Sequence, residues 1–160
     1  MNSALASDEV RRSGFDEAIF LNESGHVAEG ATCNIFMVRK GKLVTPPVTD
    51  NVLEGITRDS IMELAQRELG LPVVERSIDR SELYVCDELF LTGTAVGIAP
   101  IVRVDHRQIR DGAIGPIARQ LNESYIAATR GHLVAYRKWL VPVYRGQQPE
   151  SVRLAEASVA

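Results

Sequence analysis

The sequence predicts an α+β fold, and three observations carry that prediction. Short apolar runs bounded by Gly, Pro, Asn and Asp clusters recur along the chain, which is the pattern of strands and turns. Two stretches, near 57–69 and 114–128, instead space their apolar residues at helical intervals. The strand-like runs outnumber the helical ones and are mixed with them, with no internal repeat or low-complexity block.

Residues 2–13 read as the end of a helix, with Ala4, Leu5 and Val10 apolar and Gly14 as its stop. Phe15–Leu21 is strand-like, and Asn22-Glu-Ser-Gly25 is turn chemistry. A second strand covers His26–Ala28 and a third Asn34–Val38, with the segment carrying Glu29 between them. Lys40-Gly-Lys42 closes a hairpin toward Leu43–Thr45, so the region is expected to be an antiparallel meander. Thr57 is the expected N-cap of a helix through Ile61, Leu64 and Ala65, ended by Gly70 and Pro72. Val73–Ser77 is a strand, and Asp79-Arg-Ser-Glu82 is a capped start for a short helix. Glu88–Thr92 is a strand leading into Gly93-Thr-Ala95. Ile98–Val104 returns, Asp105-His-Arg107 turns, and a helix with Ile114, Ile117, Leu121 and Tyr125 on one face ends near Gly131. The polar segment 145–160 reads as a flexible tail beyond a single domain over 1–144.

At 160 residues, 45% hydrophobic and 24% charged, the chain has the composition of one soluble globular domain. A formal net charge of −3 supplies no electrostatic reason to expect nucleic acid or an anionic membrane as partner. The N-terminus lacks the apolar core of a signal peptide, and no apolar run reaches membrane-spanning length. Cys33 and Cys86 lie among apolar neighbours, which suits a reducing, cytoplasmic setting. His26, His106 and His132 show no ligand spacing, so no metal is expected.

Glu29 stands out, because a carboxylate beside small residues and a strand-like apolar run is costly unless something pairs with it. Gly55-Ile-Thr57 opens a helix, where free N–H groups and the helix dipole favour an anion. Gly93-Thr-Ala95 is a second compact turn bearing donors. Taken singly, the first turn reads better as an ordinary Thr-capped helix start and the second better as a tight strand exit. Cys33 reads as a small buried hydrophobe, and Arg58 in the first helical turn is expected to pair with a carboxylate or a ligand. Residue patterns alone therefore stop at an α+β domain with one carboxylate in an apolar setting and two candidate anion turns.

Taken together, the runs VAEGATCNIFMV, VLEGITRDSI, YVCDELFLTGTAVGIAPIVRVDHRQI and DGAIGPIARQL resemble the class IV pyridoxal-phosphate aminotransferases. Within that family they are most similar to the branched-chain amino-acid enzymes, in the same order over roughly residues 2–144. The resemblance implies the family's larger C-terminal domain, a mixed, mostly antiparallel sheet or pseudo-barrel with flanking helices. It implies pyridoxal 5'-phosphate as cofactor, with Glu29 against the pyridine nitrogen and Leu53 on a face of the ring. Ile56 and Thr57 would take the phosphate, and Thr94 would add a second phosphate hydrogen bond and, with Ala95, border the substrate. Gly93 and Ala95 would leave room for the substrate α-carboxylate, with the Ala95 N–H as a donor, while Asn34 would be a structural hydrogen-bonder. The implied reaction is transamination of a branched-chain amino acid with 2-oxoglutarate, in a homo-oligomer.

Two departures bear on this. Thr32-Cys33 replaces the Gly-Glu often found after the carboxylate in branched-chain enzymes, and D-amino-acid aminotransferases and aminodeoxychorismate lyases carry small polar residues there. The family's Schiff-base lysine precedes a segment like Asn2-Ser3, which places it upstream of Met1, and Lys40, Lys42 and Lys138 read as solvated. The family's smaller N-terminal domain is expected to be missing as well. The chain is then a piece of a full aminotransferase, inactive alone and prone to self-association. The alternatives are a non-catalytic phosphate- or cofactor-binding module, or a structural partner of a chain that supplies the lysine.

Overall fold

Residues 2–143 are described in the computed structural model. The expected tail at 145–160 lies outside them. Strand β3 (Asn34–Arg39) is the centre of the fold. It is flanked by β4 (Lys42–Thr45) and β6 (Glu88–Gly93), both antiparallel to it. β5 (Val73–Glu75) runs parallel to β4, and β7 (Gly97–Ile101) runs antiparallel to β6, giving the order β5-β4-β3-β6-β7. The sheet is mixed and mostly antiparallel, as expected.

β3 is buried along nearly its whole length because both faces of the sheet are covered. Ile35 and Met37 join Leu89 and Leu91 in one core. Phe36 and Val38 join Phe90 in the other, with Ile61, Leu64 and Leu121 from two helices. Those helices are α2 (Ile56–Glu68) and α3 (Pro116–Thr129). Phe36 and Phe90 face each other across strands with ring centroids 5.4 Å apart, a contact worth about 1 kcal/mol beyond burial. By the period of two, Asn34 and Thr92, which are paired in register, lie on this helix side. α1 (Asn2–Arg12) precedes the sheet and ends at Gly14, whose φ of 80° suits a left-handed stop.

Several expectations are corrected. The Phe15–Leu21 strand shortens to β1 (Ile19–Leu21). β2 (Val27–Gly30) includes Glu29, so this carboxylate is on a strand rather than between two strands. β1 and β2 form their own ribbon, so the meander breaks between β2 and β3, and β3 pairs instead with distant β6. Burial of both faces of β3 rewards that long-range pairing. Ile98–Val104 divides into β7 and β8 (Arg103–Val104), and β8 makes a tight hairpin with β9 (Arg107–Gln108) through Asp105 and His106 at positive φ. Thr57 is not the N-cap of α2; Gly55 is, and Thr57 is the second residue of the helix. The short helix after Asp79 forms as a 3-10 turn over Arg80–Tyr84 with the expected capping box. A further 3-10 turn, Val134–Trp139, was not anticipated; it buries Tyr136, whose hydroxyl donates to Glu68 at 2.7 Å.

Candidate functional site

The three segments singled out in the sequence meet at the end of the central sheet where β3 begins and β6 finishes. Glu29, on β2, is half-buried rather than fully buried, and its Oε2 accepts two hydrogen bonds. One comes from Asn34 Nδ2 at 3.1 Å and one from the Leu53 backbone N–H at 3.0 Å. Among the described residues, nothing in the chain donates to Oε1. The same Asn34 Nδ2 donates to the Leu53 carbonyl at 2.7 Å, which fixes the loop before α2.

Gly55 follows directly, and a Cβ there would stand 2.1 Å from Asn34 Oδ1, so only glycine lets this turn close on the strand. α2 then begins with no side-chain cap. The first helical bond is from the Asp59 N–H to the Gly55 carbonyl at 3.0 Å, leaving the N–H groups of Ile56, Thr57 and Arg58 without acceptors among the described residues. Thr57 is 5% exposed, whereas Leu53 and Ile56 are 72% and 85% exposed, a costly display for two large aliphatic residues at one spot.

Arg58 holds this turn in place. Its guanidinium, buried under α2, donates to the Pro46 carbonyl at 3.0 Å and pairs with Glu75 Oε2 at 2.5 Å. The expectation that Arg58 pairs with a carboxylate is met by Glu75 on β5. Its Nε is buried without a partner.

The register Asn34–Thr92 carries the third segment to the same place, since Gly93 ends β6 and Thr94 and Ala95 form the exposed turn that follows. A Cβ on Gly93 would contact Cys33 Cβ at 3.4 Å and the Thr32 carbonyl at 3.5 Å. Thr92 is fully buried, and its Oγ1 has no partner. Cys33 is buried too; burial pushes its thiol pKa up, and the Glu17 and Glu29 carboxylates push it further, which opposes a nucleophilic role.

No lysine reaches this cluster among the described residues. Lys40 and Lys42 lie at the far end of β3, about 20 Å from Asn34 at strand rise. Lys138 Nζ lies 3.4 Å from Glu63 Oε1, two turns along α2 and about 10 Å from its start. Among the described residues, no helix is long and apolar enough to cross a membrane. A cleft of about 550 Å³ opens elsewhere, between Phe15–Leu21 and Ala99–His106, and none of the site residues named above lines it.

A family profile described as amino-transferase class IV matches residues 1–104, a span that contains Glu29, Leu53, Gly55–Thr57 and Gly93–Ala95. This chain belongs to the class IV aminotransferases. It is 53% identical over 144 residues to a probable branched-chain-amino-acid aminotransferase of Aquifex aeolicus, a match covering 90% of this chain and 46% of that protein. It is 40% identical over 140 residues to the branched-chain enzyme of Escherichia coli strain K12, with 88% and 45% covered. The crystal structure of the Thermobaculum terrenum branched-chain aminotransferase in its PLP form superposes with a TM-score of 0.87 at 50% identity, covering 89% of this chain and 47% of that one. The branched-chain aminotransferase of the archaeon Thermoproteus uzoniensis, crystallised with norvaline, gives 0.84 at 47% identity, covering 89% and 47%. This class IV aminotransferase chain thus spans about half the length of the relatives it matches.

Asn34, expected only as a structural hydrogen-bonder, is one, and the structure adds that its partners are Glu29 and the Leu53 carbonyl. Its signal was a polar side chain opening an otherwise apolar strand, five residues after the candidate carboxylate.

Proposed function

We propose that this chain supplies the cofactor-holding half of a pyridoxal-phosphate-dependent aminotransferase acting on amino and 2-oxo acids. The observation that carries this reading is the convergence of a carboxylate having one unused oxygen with an uncapped helix N-terminus. A pyridine ring with a phosphate arm needs both, a partner for its nitrogen and an anion cradle. The residues fit the group: among the described residues Glu29 Oε1 is unclaimed, the N–H groups of Ile56 and Thr57 have no acceptor, and the Thr92 hydroxyl bordering the cluster has no partner. When bound, the cofactor supplies the electron sink for a carbanion formed on the amino acid.

Each residue then has a task. Glu29 holds a proton on the ring nitrogen by opposing its charge. Ile56 and Thr57 bind phosphate through backbone N–H groups, and Thr57 and Thr94 add their hydroxyls. Leu53 covers a ring face, which accounts for its exposure here. Gly93 and Ala95 leave space for the substrate carboxylate. A branched-chain amino acid with 2-oxoglutarate is the substrate pair we favour, on similarity to the enzymes named above. The base for α-proton transfer is not among these residues, and we assign it to a lysine in the remainder of a longer, homo-oligomeric cytoplasmic enzyme.

The second reading, a non-catalytic binding module, is favoured by one observation: no lysine lies at the cluster. Titrating the chain with pyridoxal phosphate, then reducing with borohydride and taking the intact mass, tests the proposal. Saturable binding that Thr57→Val and Glu29→Gln each weaken about tenfold, with no covalent mass gain, is expected. Absence of binding, or binding indifferent to both substitutions, overturns it. Assaying a longer chain that includes the preceding segment decides between a half-enzyme and a module.

A further inference from the structure

Asn34 is 6% exposed at the first position of β3, on the helix side of the sheet. Its Nδ2 has two hydrogens, and both are committed, one to Glu29 Oε2 and one to the Leu53 carbonyl. The Leu53 N–H completes a closed triangle by donating to the same Oε2. Two donors on one carboxylate oxygen leave the other oxygen, Oε1, as the one that faces a newcomer. Aspartate could not donate here and would set a second carboxylate against Glu29. The phosphate turn has a second anchor in Arg58, with Pro46 and Glu75, so it keeps a tether when the amide's hold on Leu53 is lost.

We infer that Asn34 is the positioning residue of the site, holding Glu29 so that Oε1 meets the cationic nitrogen of the bound ring. It acts through Glu29 and does not touch the reacting atoms. This deepens the function proposed above and rests on it.

The test has two arms. In the first, calorimetry compares affinity for pyridoxal phosphate and for inorganic phosphate in the unsubstituted chain, Asn34→Ala, Glu29→Gln and the double variant. Asn34→Ala is expected to lose about tenfold in pyridoxal phosphate affinity and nothing in inorganic phosphate affinity. The double variant should lose clearly less than the two single losses added, because the amide reaches the ring nitrogen through the carboxylate. Asn34→Asp should be weaker still than Asn34→Ala. Additive losses, or equal losses toward both ligands, overturn the inference, since a general loosening of the fold produces them.

In the second arm, hydrogen exchange is measured without ligand. The Leu53 amide should lose about tenfold protection in Asn34→Ala while the β3 and β6 amides keep theirs. Unchanged protection at Leu53 overturns the positioning role. Failure of the unsubstituted chain to bind either ligand sinks the cofactor reading, and the Leu53 exchange still decides whether Asn34 holds Glu29.

Discussion

The carboxylate of Glu88 occupies the place where a side chain on Gly115 would be. Gly115 is the N-cap of α3, and a Cβ built on it would lie 2.0 Å from Glu88 Cδ. Glu88, buried on β6, accepts the N–H of Ile117 at 3.0 Å and of Ala118 at 2.8 Å, so a strand residue caps a helix distant in sequence. Gly115→Ala should therefore destabilise by about 2 kcal/mol through displacement of the Glu88 cap and alanine's poorer N-cap preference, with no backbone strain, since φ of −71° is ordinary for alanine. Glu88→Ala should cost a similar amount. Chemical denaturation of both single variants and the double checks this: the double should cost clearly less than the two losses added.

Arg58 and Glu75 form an unequal pair. Arg58 has a side chain only 3% exposed, while Glu75 is 46% exposed. Removing the glutamate leaves the buried cation with only the exposed Asp59 at 3.6 Å and the Pro46 carbonyl, whereas removing the arginine leaves a carboxylate that water can reach. Glu75→Ala should thus cost about 3 kcal/mol, and Arg58→Met less, about 1–2 kcal/mol. Midpoints in urea would show the order, and Arg58→Met as the more damaging change would contradict this account.

Gly55→Ala isolates sterics at the site, because its φ of −72° suits any residue. The added methyl meets Asn34 Oδ1, so the side chain must swing from Glu29 and Leu53. Pyridoxal phosphate binding should fall at least about tenfold, with a stability loss of about 1–3 kcal/mol. Retained affinity in a calorimetric titration would show that the turn can relax without the amide.

Glu82 predicts the acid limit of the fold. It joins Arg76 through two hydrogen bonds, pairs with Arg39 as well, and caps the Asp79 N–H. The Arg76 hydrogen bond chiefly holds its carboxyl down to about 2, against an ordinary 4.5. A depressed folded-state value means that this stabilisation is complete above pH 4.5 and is lost as pH falls toward 2. Glu82→Gln should flatten the stability slope between those values and leave the slope near neutrality unchanged. Thermal melts across pH 2–6 would read it, and an unaltered acid slope would assign the loss to other carboxylates.

Much of this arrangement was legible in residue order. The apolar run Asn34–Val38, the capping box at Asp79–Glu82 and the glycine stops at Gly14 and Gly70 each depend on neighbours within a few residues, and each formed near its expected place. The family motifs likewise marked Glu29, Gly55–Thr57 and Gly93–Ala95. Expectations failed where a distant partner had the last word. β3 pairs with distant β6 rather than with β2, and α2 starts from Gly55, where a side chain would collide with Asn34.

By itself, then, the sequence determined the fold class, the family and the chemical character of each site segment, since side-chain chemistry and local periodicity are written along the chain. The tertiary structure alone decided that Glu29 takes both donors on Oε2, that Arg58 pairs with Glu75, and that Glu88 caps α3. Those outcomes depend on which atoms come within hydrogen-bond reach across 5 to 30 positions of chain, a distance that only packing sets.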